Sequence, residues 1–89
     1  MKAILTIIGK DRVGIISQVS TLLARKNVNI LDINQTVMRE YFTMIMLVDL
    51  TEINAAFTDL QEGLMALGKE INMDIKIHLE DIYNSMYQI

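Results

Sequence analysis

The chain has no cysteine, no proline and no tryptophan, only four glycines, and a single histidine. Without cysteine there is neither a disulfide framework nor a thiolate metal site, and His78 alone cannot supply the histidine cluster that would replace one. No metal and no cofactor is therefore expected, and a reducing, cytoplasmic setting fits. Lysine and arginine are scarce as well: eight against eleven acidic residues gives a net charge of -3 and a pI near 4.9. Proteins that track phosphate backbones cluster cationic side chains, so nucleic acid is not expected as a direct partner. Long apolar runs are also missing. The first, Ala3 to Ile8, is too short for a signal sequence with its cleavage site and far too short to span a bilayer, so no membrane partner is expected.

Hydrophobic side chains, in contrast, make up 52% of the 89 residues. A chain of this length supports one core, and the apolar share exceeds what so small a body hides alone. The expectation is one domain over 1–89, with a core of about 2–80 and a C-terminal extension over 81–89, assembled as a homodimer or higher homo-oligomer.

Residues 2–8 form a continuous apolar run that suits a central strand. After a break at Gly9, the residues Ile15, Ile16, Val19, Leu22 and Leu23 fall at helical spacing, and the helix ends near Lys26-Asn27. From Val28 to Met38 the parity of apolar positions changes, which predicts a strand with a bulge near Leu31-Asp32. Phe42 to Leu50 is apolar on both faces and reads as a second central strand. The turn before it, Arg39-Glu40-Tyr41, has no Gly or Asn to define its geometry. Ile53, Phe57, Leu60, Leu64 and Leu67 predict a second helix over 54–70, and Met73, Ile75, Ile77 and Leu79 alternate with polar residues as an edge strand. Ile82, Tyr83, Met86, Tyr87 and Ile89 repeat at helical spacing in a tail too short to stand alone.

The order βαββαβ is the α+β, ferredoxin-like plan, a four-stranded antiparallel sheet with two helices on one face, here with the short C-terminal tail added. The other face is left bare, exposing either Ile45 and Leu47 or Met44 and Met46 unless a partner subunit covers them. RNA binding on that face is rejected, because the first and third strands offer no stacking aromatic beyond Phe42.

The turn Gly9-Lys10-Asp11-Arg12-Val13-Gly14 joins the first strand to the first helix. Asp11 is suited to cap that helix, with Gly14 in its first turn, and the free amides of Arg12 to Ile15 favour an anion. An amino acid satisfies both signs, its ammonium near Asp11 and its carboxylate near the amides or Arg12. The plainer reading is a capped helix in a tight turn that binds nothing. Asn29, followed by Ile30 and Leu31, is the second candidate, since its amide both donates and accepts; it reads equally well as a polar residue opening a strand. His78 faces outward by parity, Met44, Met46 and Met73 suit a core or dimer filling, and Asp74 with Glu80-Asp81 reads as a solvated acidic edge.

The strand Ala3 to Ile8, the turn Asp11-Arg12-Val13-Gly14, the helix Ile15 to Lys26, the segment Asn27-Val28-Asn29-Ile30 and the element order together resemble the ACT domain family of small-molecule-binding regulatory modules. Within it the chain looks like the stand-alone bacterial branch similar to glycine cleavage system repressor proteins, through Asp32-Ile33-Asn34-Gln35-Thr36-Val37 and Tyr41-Phe42-Thr43-Met44. The resemblance implies a non-enzymatic sensor, with no catalytic residues. It implies a side-by-side dimer binding an amino acid between Asp11, Arg12, Gly14 and Ile15 of one subunit and Asn29, Ile30 and Leu31 of the other. Amino-acid-binding members often carry His, Asn and Pro where Gly9, Asp11 and Val13 stand here. The regulated protein is not named by the sequence. Two alternatives stay open: a structural or protein-interaction dimer without a ligand, and an acylphosphatase-like enzyme in which Arg12 with Asn29 or Asn34 binds phosphate.

Overall fold

A computed structural model describes residues 1–87. Four antiparallel strands, β1 (Lys2–Lys10), β2 (Asn29–Met38), β3 (Tyr41–Asp49) and β4 (Met73–Leu79), lie in the order β2-β3-β1-β4. The two apolar-on-both-faces runs, β1 and β3, occupy the centre, and the half-polar β4 forms one edge, as their patterning requires. Ala3, Leu5 and Ile7 pair with Val48, Met46 and Met44 on one side and with Leu79, Ile77 and Ile75 on the other, so one face of the sheet is a continuous apolar layer. Helices α1 (Ile15–Arg25) and α2 (Phe57–Ile71) close over it with Ile15, Val19, Leu23, Leu60, Leu64 and Ile71. Met44 and Met46 are fully buried there, which leaves Ile45 and Leu47 on the bare face.

Several boundaries differ from the sequence reading. β1 runs through Gly9 to Lys10 because Gly9 keeps both neighbours, Phe42 and Met73. A Cβ at Gly9 would lie 2.6 Å from Met73 Sδ, so the glycine leaves room for the Met73 side chain and does not break the strand. α1 buries the stripe Ile15, Val19 and Leu23, while Ile16 points outward at 41% exposure. Its end is made by Asn27 at φ 60°, whose N–H donates to the Ala24 carbonyl, while Val28 N–H donates to that of Leu23. α2 begins at Phe57, three residues later than expected; Ile53 packs on the core from the preceding loop.

In β2 the register passes from Ile30/Val48 to Asp32/Leu47, so Leu31 is the extra residue of a bulge, where the parity change put it. The β2–β3 hairpin closes in two residues, with Arg39 taking the left-handed φ of 59° that a Gly or Asn adopts at lower cost. After β4 the chain forms α3 (Glu80–Met86), which buries no side chain and stacks Tyr83 on Tyr87 with ring centroids 4.7 Å apart. Residues 88 and 89 of the expected tail lie outside the described residues.

Candidate functional site

The first half of the site is built differently from expectation. Asp11 does not cap α1; its backbone N–H donates to the Glu40 carbonyl at 2.6 Å, so the β1–β3 pairing carries on past Lys10 to the hairpin turn. Gly14 is itself the residue that opens the helix, at φ 94°, one position before the first turn in which it was expected. Among the described residues no side chain caps α1, and its first turn carries no acidic residue. Gln18 N–H is the first to reach back along the helix, to the Gly14 carbonyl at 2.9 Å. The amides without an intrahelical acceptor are therefore those of Ile15, Ile16 and Ser17, shifted by several residues from Arg12 to Ile15. The Asp11 side chain makes no hydrogen bond to the amides of this helix start. Ile15 supplies only backbone, since its side chain is buried in the core.

Arg12 is engaged elsewhere. Its Nη1 donates to the Ile71 carbonyl at 3.1 Å, at the C-terminal end of α2, where a cation meets the negative end of the helix. Val13 is 97% exposed at the crest of the turn.

The second half lies at the far end of the sheet. Asn29 pairs with Asp49, and Asp49 pairs with Lys2, whereas the turn follows Lys10. Eight strand residues separate those rows, about 26 Å at 3.3 Å per residue. Asp11, Arg12, Gly14 and Ile15 thus stand together at one end, and Asn29, Ile30 and Leu31 at the other; one protomer does not join them. The same separation keeps Arg12 away from Asn29; Asn34, in the row of Ile45 and Thr6, stands about 13 Å along the sheet from Lys10 and on the bare face, whereas Arg12 reaches Ile71 of α2, so the acylphosphatase-like pair does not assemble. Asn29 is exposed, Ile30 faces the core in part, and Leu31 is 44% exposed with the bulge taking its backbone out of the regular ladder.

The sequence reading missed Asp49, which the β2–β3 register sets beside Asn29. Its Oδ1 accepts from the Thr51 hydroxyl at 2.6 Å and from the Thr51 N–H at 3.0 Å, and those two bonds hold the carboxyl below its ordinary pKa. The spacing Asp-x-Thr after an alternating run is the signal that was available. His78 is half-buried on the bare face opposite Ile4, and Phe42 turns into the core, leaving Tyr41 as the aromatic on the bare side. No group of three or more His, Asp or Glu residues among the described residues is placed to hold a metal. None of the described helices is long and apolar enough to cross a membrane.

Residues 2–78 match the ACT domain family. A UPF0237 protein of Clostridium acetobutylicum is 53% identical over 89 residues, covering all of both chains. Among solved structures, an ACT domain protein from Streptococcus pneumoniae superposes with a TM-score of 0.81 at 42% identity, covering 98% of each chain. A candidate glycine cleavage system transcriptional repressor gives 0.76 at 26% identity, covering 86% of this chain and 44% of that one. The strand order, the two helices over one face, and a match over nearly the whole length agree, and the chain belongs to the ACT domain family.

Proposed function

We propose that the chain is a non-enzymatic regulatory module that dimerises through β2 and binds an amino acid or a similar small metabolite at the subunit interface. The observation that carries this reading is the separation of the two half-sites. β2 is an edge strand with every residue at least partly exposed, including Leu31, Ile33 and Val37 at 42–48%, and in its outer row of backbone groups only the Ile33 N–H has a partner among the described residues, Asp32 Oδ1 at 2.9 Å. Antiparallel pairing of two such edges about a two-fold axis brings Asn29 of one copy towards Met38 of the other. Met38 lies in the row of Tyr41 and Lys10, at the end of the sheet from which the chain turns into α1. The halves that are about 26 Å apart in one chain then face each other across two chains.

In that arrangement the amides of Ile15, Ile16 and Ser17 take the ligand carboxylate, and Asn29 with the backbone freed at Leu31 takes polar atoms of the head group. The likeness to a candidate transcriptional repressor supports a regulatory output read by another protein. Calorimetry with each of the amino acids tests the reading: binding by one or more, lost in Asn29→Ala with the dimer intact, is expected. Silence from all of them refutes the sensor. A ligand-free interaction dimer is then the reading left, and the engagement of Arg12 by Ile71 favours it, since the guanidinium of the turn is already occupied.

A further inference from the structure

The edge of the sheet opposite β2 carries its own self-complementary pattern. We propose that β4 and α2 form a second homotypic interface, in which the β4 strands of two copies pair antiparallel about a two-fold axis through Ile75.

Apart from the Ile77 carbonyl, which accepts from Gln61 Nε2, no hydrogen bond among the described residues engages the backbone groups of β4 that point away from β1. The Asp11 N–H turns towards Glu40, beyond β3, and the Met1 carbonyl accepts from Leu50 at the other end of the same strand. Odd residues of β1 therefore direct their backbone groups to β3, and even residues direct theirs to β4. Ile4, Thr6 and Ile8 pair with His78, Lys76 and Asp74, so those three β4 residues are the ones bonded to β1. Met73, Ile75 and Ile77 point theirs outward. The Gln61 side chain agrees, since its Nε2 donates to the Ile77 carbonyl at 3.3 Å from α2.

An isologous pairing must satisfy its own charges. With Ile75 facing Ile75 of the second copy in a hydrogen-bonded pair, each residue i meets residue 150 minus i. Asp74 then lies opposite Lys76 of the second copy, twice over, in non-hydrogen-bonded pairs where side chains approach most closely. On the core side Met73 meets Ile77. Asp74 and Lys76 lie 3.8 Å apart within the strand and are both more than half exposed, free to exchange that contact for one across the axis. Lysines alone along an edge would repel a second copy; one charge of each sign, evenly placed about Ile75, does not.

The helix layer repeats the pattern independently. Gln61 is level with Ile77, and Gly68 is level with Met73 and Ile75, so the level of Ile75 falls near Met65 on α2. Met65 is 56% exposed and lines a groove of about 510 Å³ between α2 and β4. The same two-fold axis sets Met65 against Met65 and places Glu62 near Lys69 of the second copy. One axis thus satisfies both charge pairs and covers the exposed methionine. Because β2 lies at the opposite edge, this contact does not compete with dimerisation there.

Sedimentation velocity over a concentration series tests it, with Asp74→Lys and Lys76→Asp made singly, combined in one chain, and mixed as two chains. Two-fold contacts at both edges build an open series of subunits, so each single variant, which sets like charges opposite one another, is expected to weaken this contact by about tenfold in dissociation constant and to shift the sedimentation distribution down towards the β2 dimer. The double variant restores opposite charges and recovers the wild-type species, and so does an equimolar mixture of the two single variants, as a heteromer. Far-UV circular dichroism checks that the single variants remain folded. Single variants that sediment like wild type overturn the proposal, as does failure of both the swap and the mixture to restore assembly. An edge used by an unrelated strand gives the first of those results.

Discussion

Two glycines in α2 offer opposite outcomes for the same substitution. Replacing an interior helical glycine by alanine lowers backbone freedom in the unfolded chain and favours the helix by about 1 kcal/mol. At Gly63 nothing opposes that gain: an added Cβ would lie 3.7 Å from Leu22 Cδ1, an ordinary contact that also fills the groove between α1 and α2. Gly63→Ala is expected to stabilise by about 0.5–1 kcal/mol. At Gly68 the Cβ would lie 2.7 Å from the Met73 carbonyl oxygen and 3.3 Å from Ile75 Cγ1. That oxygen belongs to the backbone of β4 and cannot rotate away, so α2 and β4 must part by about 0.7 Å to reach the 3.4 Å at which contact becomes ordinary. Overpacking of this kind costs about 1–3 kcal/mol, which exceeds the helical gain, and Gly68→Ala is expected to destabilise by about 1–2 kcal/mol. Urea unfolding reads both at one fixed protein concentration, so that any contribution from subunit association is the same for all three proteins. For a domain of this size the pair should straddle the wild-type Tm, each kcal/mol moving it by about 4–8 °C. Equal or greater stability of Gly68→Ala refutes the claim that glycine at this position is required by the approach of β4.

Arg39→Gly should stabilise the hairpin by about 1 kcal/mol, because Arg39 holds a left-handed φ of 59°; unchanged unfolding free energy would contradict this. Arg12→Met should lower stability by about 1 kcal/mol in the absence of any ligand, since it removes the bond to the Ile71 carbonyl, and an effect confined to ligand binding would show that bond to be unimportant. The Asp49 carboxyl is held below its ordinary pKa in the folded state, so its contribution is present above the unfolded value and is lost as pH falls through the lower, folded one. Thr51→Val removes one of the two donors and should raise the Asp49 titration midpoint followed by NMR, narrowing that acid window; an unmoved midpoint would assign the shift to other groups.

The strands were legible in the sequence because side chains alternate across a sheet whatever the rest of the chain does. The change of parity in β2 placed its bulge near Leu31-Asp32, and the register makes Leu31 the extra residue. The start of α1 was not legible in the same way. Asp11 has the chemistry of a cap, but capping competes with the strand that precedes it, and the bond from Asp11 N–H to Glu40 decides in favour of the strand. Gly14 was the available signal, since glycine serves at helix starts and takes the left-handed φ without strain. The role of Arg12 could not be read locally, because its acceptor, Ile71, lies 59 positions away.

Composition, periodicity and element order by themselves determined one core and a βαββαβ sheet with β4 at an edge, since each follows from short-range patterns that any packing must respect; the resemblance to a family rested on particular motifs such as Asp11-Arg12-Val13-Gly14. Tertiary structure alone decided that Met44 and Met46 face inward, that Arg12 closes α2, and that Asp49 stands beside Asn29. It alone set the two groups of candidate residues at opposite ends of the sheet. Those outcomes rest on register and on contacts between residues far apart in the chain, which no local spacing encodes.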